Sequence, residues 1–240
     1  MTSALVPVKD KVSDFLSRKS RDREVLQYVL RELTEQLPET AIFGGMLREF
    51  GLGHVRGFSS DVDLVTAASA QEIGKAVSKF SPLRNKFGGY RFVTGKWRFD
   101  IWTLDQTWAI KQGYVEGRSM SDLVNTTFFN VDAAIFYLSN KELLLSHCYA
   151  DGVNRRLLDI NLLINPAPFN MAVKAIKLAM QKNLSISARL NSFILSHERR
   201  IRATTPYSFL LDDMRRHLYE KEDFPYLIDP QLSILEPNGA

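Results

Sequence analysis

The spacing of apolar residues along this chain switches repeatedly between the period of helices and the period of strands. Helical spacing fills residues 9–36, where a basic stretch at 18–23 interrupts it, and predicts one or two amphipathic helices. Pro38 ends this pattern because proline cannot continue a helix. The same spacing predicts further helices over residues 69–80, 171–182, 187–202 and 207–219.

Strands are predicted where short apolar runs are bounded by glycine, proline or polar residues. They cover residues 41–43, 61–65, 88–94, 96–104, 129–138 and 142–145. The third and fourth of these are joined only at Gly95, and so short a link requires an antiparallel pair. The chain is therefore predicted to be an α+β protein, with a mixed or antiparallel sheet flanked by helices.

The character of the chain changes near residues 160–168. Before this point strands and helices alternate, whereas after Pro166 and Pro168 the pattern is helical alone. We therefore predict a larger domain over residues 1–165 and a small helical domain over residues 166–240.

Composition narrows the class of protein. The 240 residues are 45% hydrophobic, which suffices for a core without covalent staples. The single Cys148 and four scattered histidines provide neither a disulfide nor a zinc motif. No apolar leader and no run of about 18 to 20 apolar residues is present, so we expect a soluble cytoplasmic protein with no membrane partner. A net charge of +4 is compatible with a polyanionic partner, although many enzymes share it.

Two carboxylates in the second predicted strand are the first candidates for chemistry. Asp61 and Asp63 are two residues apart, so on a strand both project from the same face. Such close negative charges repel each other unless a positive charge lies between them. Because Val62 and the apolar residues after Asp63 indicate a buried strand, a divalent cation is the natural counter-charge.

Neighbouring residues complete a predicted nucleotide site. Gly44 and Gly45 link the first strand to a short helix, where backbone N–H groups can approach phosphate oxygens. Asp100, between two core residues of a later strand, would face the same side as the aspartate pair. Phosphate contacts are predicted for three further side chains, which are Arg48, Ser59 and Ser60.

Each of these assignments has a plainer alternative. Paired aspartates are common on solvated turns, Gly-Gly after a strand is often only a tight turn, and Asp100 alone suits an exposed strand position. The functional interpretation is favoured because all of these features occur together and in one order.

The order and spacing of these residues resemble those of the head domain of the DNA polymerase β superfamily, in its poly(A) polymerase and tRNA CCA-adding branch. Residues 44–49 and 61–63 are similar to the family's Gly-Gly-x-Val-Arg-Asp and Asp-x-Asp motifs. Residues 87–101 resemble its glycine-containing hairpin that ends in an acidic strand residue. The resemblance continues through residues 129–134 and the neck-like segment 157–179, so that it covers roughly residues 40–200.

The resemblance implies a metal-dependent nucleotidyltransferase head followed by a helical neck. Asp61, Asp63 and Asp100 would bind Mg²⁺ or Mn²⁺, with Asp100 nearest the attacking hydroxyl. Lys174 and Lys177 would replace the family's neck arginines as nucleotide contacts. The expected reaction transfers a nucleoside monophosphate from an NTP to a hydroxyl, at the 3′ end of an RNA, and releases pyrophosphate.

Two segments depart from the family pattern. The family's Arg-Arg-Asp falls here on residues 126–128, Thr-Thr-Phe, and its base-reading Asp–Arg element falls on residues 167–171, which contain neither residue type. We also expect the family's long helical body, which grips a tRNA, to be absent from these 240 residues. These departures leave two alternatives open: transfer to a protein or small-molecule hydroxyl, and a catalytically inactive binding or regulatory module.

Aromatic and basic residues around Asp100 are candidates for stacking bases and neutralising phosphates. The alternative is a strand core that alternates with a charged outer face, and a solvated helix face is the alternative for the arginine groups at 199–202 and 215–216. The candidates near Asp100 are Trp97, Trp102, Trp108, Tyr114, Arg91, Lys96 and Arg98.

Overall fold

A seven-stranded mixed sheet forms the centre of the computed structural model, which describes residues 6–56, 58, 60–85, 87–204 and 209–220. Its strand order is β3-β4-β5-β2-β1-β6-β7. The strands are β1 (Ala41–Phe43), β2 (Val62–Thr66), β3 (Leu83–Arg84), β4 (Tyr90–Thr94), β5 (Trp97–Thr103), β6 (Ala134–Tyr137) and β7 (Leu143–Leu145). The described residues include one further pair, in which β8 (Leu157–Leu158) runs parallel to β9 (Ser185–Ile186).

Helices precede, interrupt and follow the sheet. Those before β8 are α1 (Val6–Ser17), α2 (Arg21–Gln36), α3 (Gly45–Gly51), α4 (Ala70–Val77), α5 (Trp108–Lys111) and α6 (His147–Asn154). Those after it are α7 (Pro168–Lys182), α8 (Ala188–Ser196), α9 (Glu198–Ala203) and α10 (Leu210–Glu220). Short 3-10 turns lie at Ser78–Phe80, Leu104–Gln106, Met120–Asn125 and Asn130–Asp132.

The sheet is antiparallel except where β2 lies parallel to β5. This pairing brings together two strands that are distant in sequence, because the β3–β4 hairpin lies outside β5. The arrangement confirms the predicted α+β fold with a mixed sheet, including the antiparallel pair around Gly95.

One face of the sheet is buried in the main hydrophobic core. Ile42, Leu64 and Ile101 are neighbours in the strand register and are fully buried. Phe92 stacks on Phe99 with ring centroids 4.9 Å apart. Apolar side chains of α1 and α2 belong to the same core. Because neighbouring strand residues point to opposite faces, Asp63 and Asp100 project from the other side of the sheet.

A second hydrophobic core surrounds α7. It combines helical residues such as Ile176 and Leu190 with Phe129 and Leu158 from earlier in the chain. The β8–β9 pair also joins these two parts of the sequence. The division at residues 165 and 166 stays a prediction, while packing links residues 128–160 to the helices that follow.

Several predicted boundaries differ from the structure. Residues 129–133 are not part of a strand, because Asn130 begins a 3-10 turn and its side chain binds backbone groups of the segment 157–159. The helix predicted over 187–202 is two helices, which meet at His197. The helix predicted over 207–219 begins at Leu210, and residues 207 and 208 lie outside the described part of the chain. None of the described helices has the length and apolarity needed to cross a membrane.

Candidate active site

The parallel pairing of β2 with β5 brings the predicted carboxylates together. Asp63 lies directly opposite Asp100 in the register of these strands. Asp61 immediately precedes β2, two residues from Asp63. Asp100 is buried, whereas the two other carboxylates are partly exposed. The structure therefore places all three aspartates in one region, on the sheet face opposite the main core.

The Gly44–Gly45 turn lies against this region. Gly44 has φ +68° and ψ −118°, a conformation that residues with a side chain rarely adopt. A Cβ built on Gly44 would lie 3.8 Å from Asp63 Oδ2, and one built on Gly45 would lie 3.8 Å from Ser60 Oγ. The turn therefore lies beside the carboxylates without a side chain of its own between them. Ser59, also predicted to contact phosphate, lies outside the described residues.

Two arginines bind the carboxylates on either side of Asp63. Arg91, opposite Asp100 in the β4–β5 register, donates from Nε to Asp100 Oδ1 at 2.9 Å and from Nη2 to Oδ2 at 2.7 Å. Arg98 donates from Nε to Asp61 Oδ1 at 2.5 Å. Both contacts are charge-assisted, and the first is bidentate.

The carboxyl group of Asp63 has a raised pKa. Burial, followed by repulsion from Asp100, Asp61 and Asp132, raises the pKa of Asp63 from 3.8 to about 7, while the charge of Lys174 opposes this rise. The ionised carboxylate is therefore under-compensated by the positive charges around it. This is the electrostatic environment of a cation site or of a functional carboxylate.

Arg48 is held below the glycine turn in a buried ion-pair network. Its guanidinium binds Asp132 at 2.5 Å and Glu49 at 3.4 Å. Burial would raise the pKa of Asp132, but the charges of Arg48 and Lys174 and the hydrogen bond from Arg48 lower it below its usual value. The charge of Arg48 is thus largely matched by carboxylates, and its predicted contact with phosphate stays a prediction.

Helix α7 contributes lysines to the same network. Lys174 Nζ lies 3.8 Å from Asp132 Oδ2 and 5.6 Å from the centre of the Phe129 ring. Lys182 Nζ lies 2.6 Å from Glu49 Oε2. Lys177 is exposed one turn after Lys174 on this helix. Of the two lysines predicted to contact nucleotide, Lys174 is therefore placed beside the carboxylate region.

The side chains of Asp61, Asp63 and Asp100 offer carboxylate oxygens, which are the ligands that Mg²⁺ and Mn²⁺ prefer. In the part of the chain that the structure describes, no three His, Cys, Asp or Glu side chains are gathered closely enough to hold an ion. Asp100 is paired with Arg91, and Asp61 is paired with Arg98. The metal ligands stay a prediction, and the predicted residues are Asp61, Asp63 and Asp100.

The aromatic candidates for base stacking occupy different environments. Trp97 is buried in the core against Phe15, which agrees with the alternative of strand packing. Trp102 donates from Nε1 to Thr107 Oγ1 at 3.0 Å. A half-exposed ring is provided by Tyr114.

The segment that replaces the family's Arg-Arg-Asp is structural here. Thr127 donates from its hydroxyl to the carbonyl of Phe129 at 2.9 Å, and Phe128 packs in the second core. Near the end of the described chain, Arg202 pairs with both Glu198 and Asp212. This is the arrangement of an ion-paired helix surface, and contact of these arginines with RNA stays a prediction.

Sequence reasoning missed Asp132 as a site residue and missed the carboxylate contacts of Arg91 and Arg98. The hairpin itself contained a usable signal, because a two-residue turn at Gly95 and Lys96 sets Arg91 opposite Asp100. Asp132 offered no such signal, since its contacts are made with residues that are distant in sequence.

Solved structures with the same fold include a tRNA-processing enzyme and CCA-adding enzymes. The chain superposes on a "tRNA-processing enzyme (apo form I)" with a TM-score of 0.55 and 16% identity, over 86% of this chain and 59% of that one. A CCA-adding enzyme in complex with ATP gives a TM-score of 0.58 at 16% identity, over 89% and 53%. The Thermotoga maritima CCA-adding enzyme complexed with tRNA gives 0.58 at 17%, over 86% and 49%.

These likenesses establish the fold. The chain has the mixed sheet and flanking helices of the fold seen in the CCA-adding enzymes. It spans between about half and three fifths of the length of these three structures. No family model and no curated protein sequence matches the chain.

Proposed function

We propose that this protein is a metal-dependent nucleotidyltransferase that moves a nucleoside monophosphate from an NTP to the 3′ hydroxyl of an RNA and releases pyrophosphate. The observation that carries the proposal is the register of β2 and β5, which places Asp63 opposite Asp100 and two residues from Asp61. The likeness in fold to enzymes solved with ATP and with tRNA supports both the nucleotide and the acceptor.

Asp61, Asp63 and Asp100 would hold Mg²⁺ or Mn²⁺, which would stabilise the negative charge that develops on the transferred phosphate. The Gly44–Gly45 turn would admit the triphosphate, since neither residue carries a side chain next to Asp63. Ser60 Oγ lies at the same turn and would donate to a phosphate oxygen. Lys174 would add positive charge from the side of α7.

The carboxylate of Asp100 would accept the proton of the acceptor hydroxyl. The hydroxyl oxygen would then bond to the α-phosphorus, and the bond from that phosphorus to the pyrophosphate oxygen would break. Asp100 suits this role because it is buried beside Asp63, at the centre of the sheet. The chain itself would supply positioning and electrostatics, and no covalent nucleophile is required.

Labelling of a short RNA with each of the four NTPs in turn, in the presence of Mg²⁺, tests the proposal. We expect label to enter RNA with a free 3′ hydroxyl but not RNA with a 3′-deoxy end. Asp63→Asn should abolish transfer, whereas Asp151→Asn, an exposed aspartate on α6, should retain it. Label on protein instead of RNA would select a protein acceptor, and absence of label from every acceptor would refute the enzymatic proposal.

A further inference from the structure

Two exposed arginines cover two carboxylates of the site, Asp100 and Asp61. The side chain of Arg91 is 57% exposed while that of its partner Asp100 is 11% exposed. The side chain of Arg98 is 60% exposed and that of its partner Asp61 is 30% exposed. In both pairs the arginine therefore reaches inward from solvent, and its charged end lies on a carboxylate that the fold holds in place.

The strand register fixes these contacts. Arg91 and Asp100 are cross-strand neighbours in the β4–β5 pair and share one face of the sheet. Arg98 lies two residues before Asp100 on β5 and so points to that same face. Val93, opposite Arg98 on β4, is also on this face and is well exposed. The arginines therefore stand at the solvent edge of the site, with open surface beside them.

The contacts use the oxygens that a divalent cation would need. Both oxygens of Asp100 accept from Arg91, and Oδ1 of Asp61 accepts from Arg98. Mg²⁺ and Mn²⁺ bind carboxylate oxygens directly, so a cation competes with the arginines for the same oxygens. Binding of the cation should therefore favour release of the arginines.

We propose that Arg91 and Arg98 are exchangeable counter-charges, which neutralise Asp100 and Asp61 and move to phosphate oxygens when cation and nucleotide bind. The inference rests on the proposed function, because it concerns the same three carboxylates. A guanidinium suits both positions, since its planar fork binds a carboxylate and a phosphate in the same bidentate manner. The long exposed stems allow the exchange without movement of the strands.

Titration of the full chain with Mn²⁺ alone, followed by electron paramagnetic resonance of the free ion, tests the first half of the proposal. Arg91→Gln and Arg98→Gln should each bind Mn²⁺ about threefold to tenfold more tightly than the wild type, because a competing charge has been removed. The matched control is Arg84→Gln on the adjacent strand β3. Arg84 lies with its guanidinium 5.9 Å from the centre of the Tyr90 ring and should leave Mn²⁺ affinity unchanged.

Binding of a non-hydrolysable NTP analogue in saturating Mn²⁺ tests the second half. The same two variants should bind the analogue about threefold to tenfold more weakly than the wild type, because a phosphate contact has been removed. Arg91→Lys should recover part of this affinity, since it keeps the charge but lacks the fork. Opposite effects of one substitution on cation and on nucleotide are not expected from general loss of structure.

The outcomes separate the inference from the proposed function. If wild-type protein and Asp63→Asn both fail to bind Mn²⁺, the proposed metal site is wrong. If the wild type binds Mn²⁺ while Arg91→Gln and Arg98→Gln bind it with unchanged or lower affinity, the exchange is refuted and the metal site stands. Tighter Mn²⁺ binding with unchanged analogue binding would refute the transfer of the arginines to phosphate.

Discussion

Ionised Asp63 should destabilise the folded protein, and replacement of Asp63 by asparagine should increase the free energy of unfolding by the same amount. The pKa of this carboxyl is raised to about 7 from an ordinary 3.8, by burial first and then by the charges of three other aspartates. A rise of about three pKa units corresponds to about 4 kcal/mol. Because Asp63 retains some contact with solvent, we expect Asp63→Asn to raise the free energy of unfolding by about 2 to 4 kcal/mol at pH 8.

The sign of the pH dependence follows from the direction of the shift. In the unfolded chain Asp63 loses its proton near pH 4, whereas in the fold it keeps the proton up to about pH 7. The wild type should therefore lose stability relative to Asp63→Asn as the pH rises from about 4 to about 7, and the difference should stay constant above this range. Near pH 4 the two proteins should be almost equally stable.

Urea unfolding at pH 5, 6, 7 and 8, in the presence of a chelator, measures this difference. Asp151→Asn is the matched control, because an exposed aspartate should change the unfolding free energy by less than about 0.5 kcal/mol at every pH. Replacement of the chelator by Mg²⁺ should stabilise the wild type and leave Asp63→Asn unaffected. A difference between wild type and Asp63→Asn that does not grow with pH would refute the assigned environment of Asp63.

Three further predictions concern the surroundings of the carboxylates. Gly44→Ala should lower the unfolding free energy in urea by about 1 to 3 kcal/mol because φ is +68°, and it should also weaken NTP binding. The control Gly113→Ala, at φ +76° in open space, should lower stability without weakening NTP binding. Equal losses of NTP binding in the two variants would contradict the phosphate cradle. Tyr149→Phe removes a buried hydroxyl that donates to a main-chain carbonyl of α3 at 2.7 Å, and should lower the unfolding free energy by about 1 kcal/mol; an unchanged urea midpoint would contradict it. Asp132→Ala removes the main partner of buried Arg48 and should cost about 3 to 5 kcal/mol at pH 7, and a loss under about 1 kcal/mol would show that Arg48 finds water instead.

The shared sheet face of Asp63 and Asp100 was predictable from sequence because it depends on local alternation within short strands. Each aspartate lies between apolar neighbours, so burial of those neighbours on one face directs both carboxylates to the other face. The sequence indicated the β4–β5 hairpin but not that β2 would pair with β5 in parallel. That pairing decides which residue lies opposite Asp63, and it depends on the packing of the whole sheet.

Asp132 shows why the remainder of the site was not predictable. Residues 129–138 have the composition of a strand, and strand alternation would give Asp132 no special role. In the structure the side chain of Asn130 binds the segment 157–159, which turns the chain and directs Asp132 towards Arg48. Contacts between such distant residues leave no trace in local periodicity, so the buried ion pair could be recognised only from the folded structure.

The lysines of α7 explain how the site holds positive charge although residues 126–128 contain no arginine. Asp132 repels Asp63 but also pairs with Lys174 of α7, whose charge in turn lowers the pKa of Asp63. Lys182 of the same helix pairs with Glu49 of α3, so α7 is tied at two points to the elements that carry the glycine turn. The charge balance at Asp63 therefore depends on the position of α7, and a change in the packing of the second core should alter cation and nucleotide affinity without touching a carboxylate.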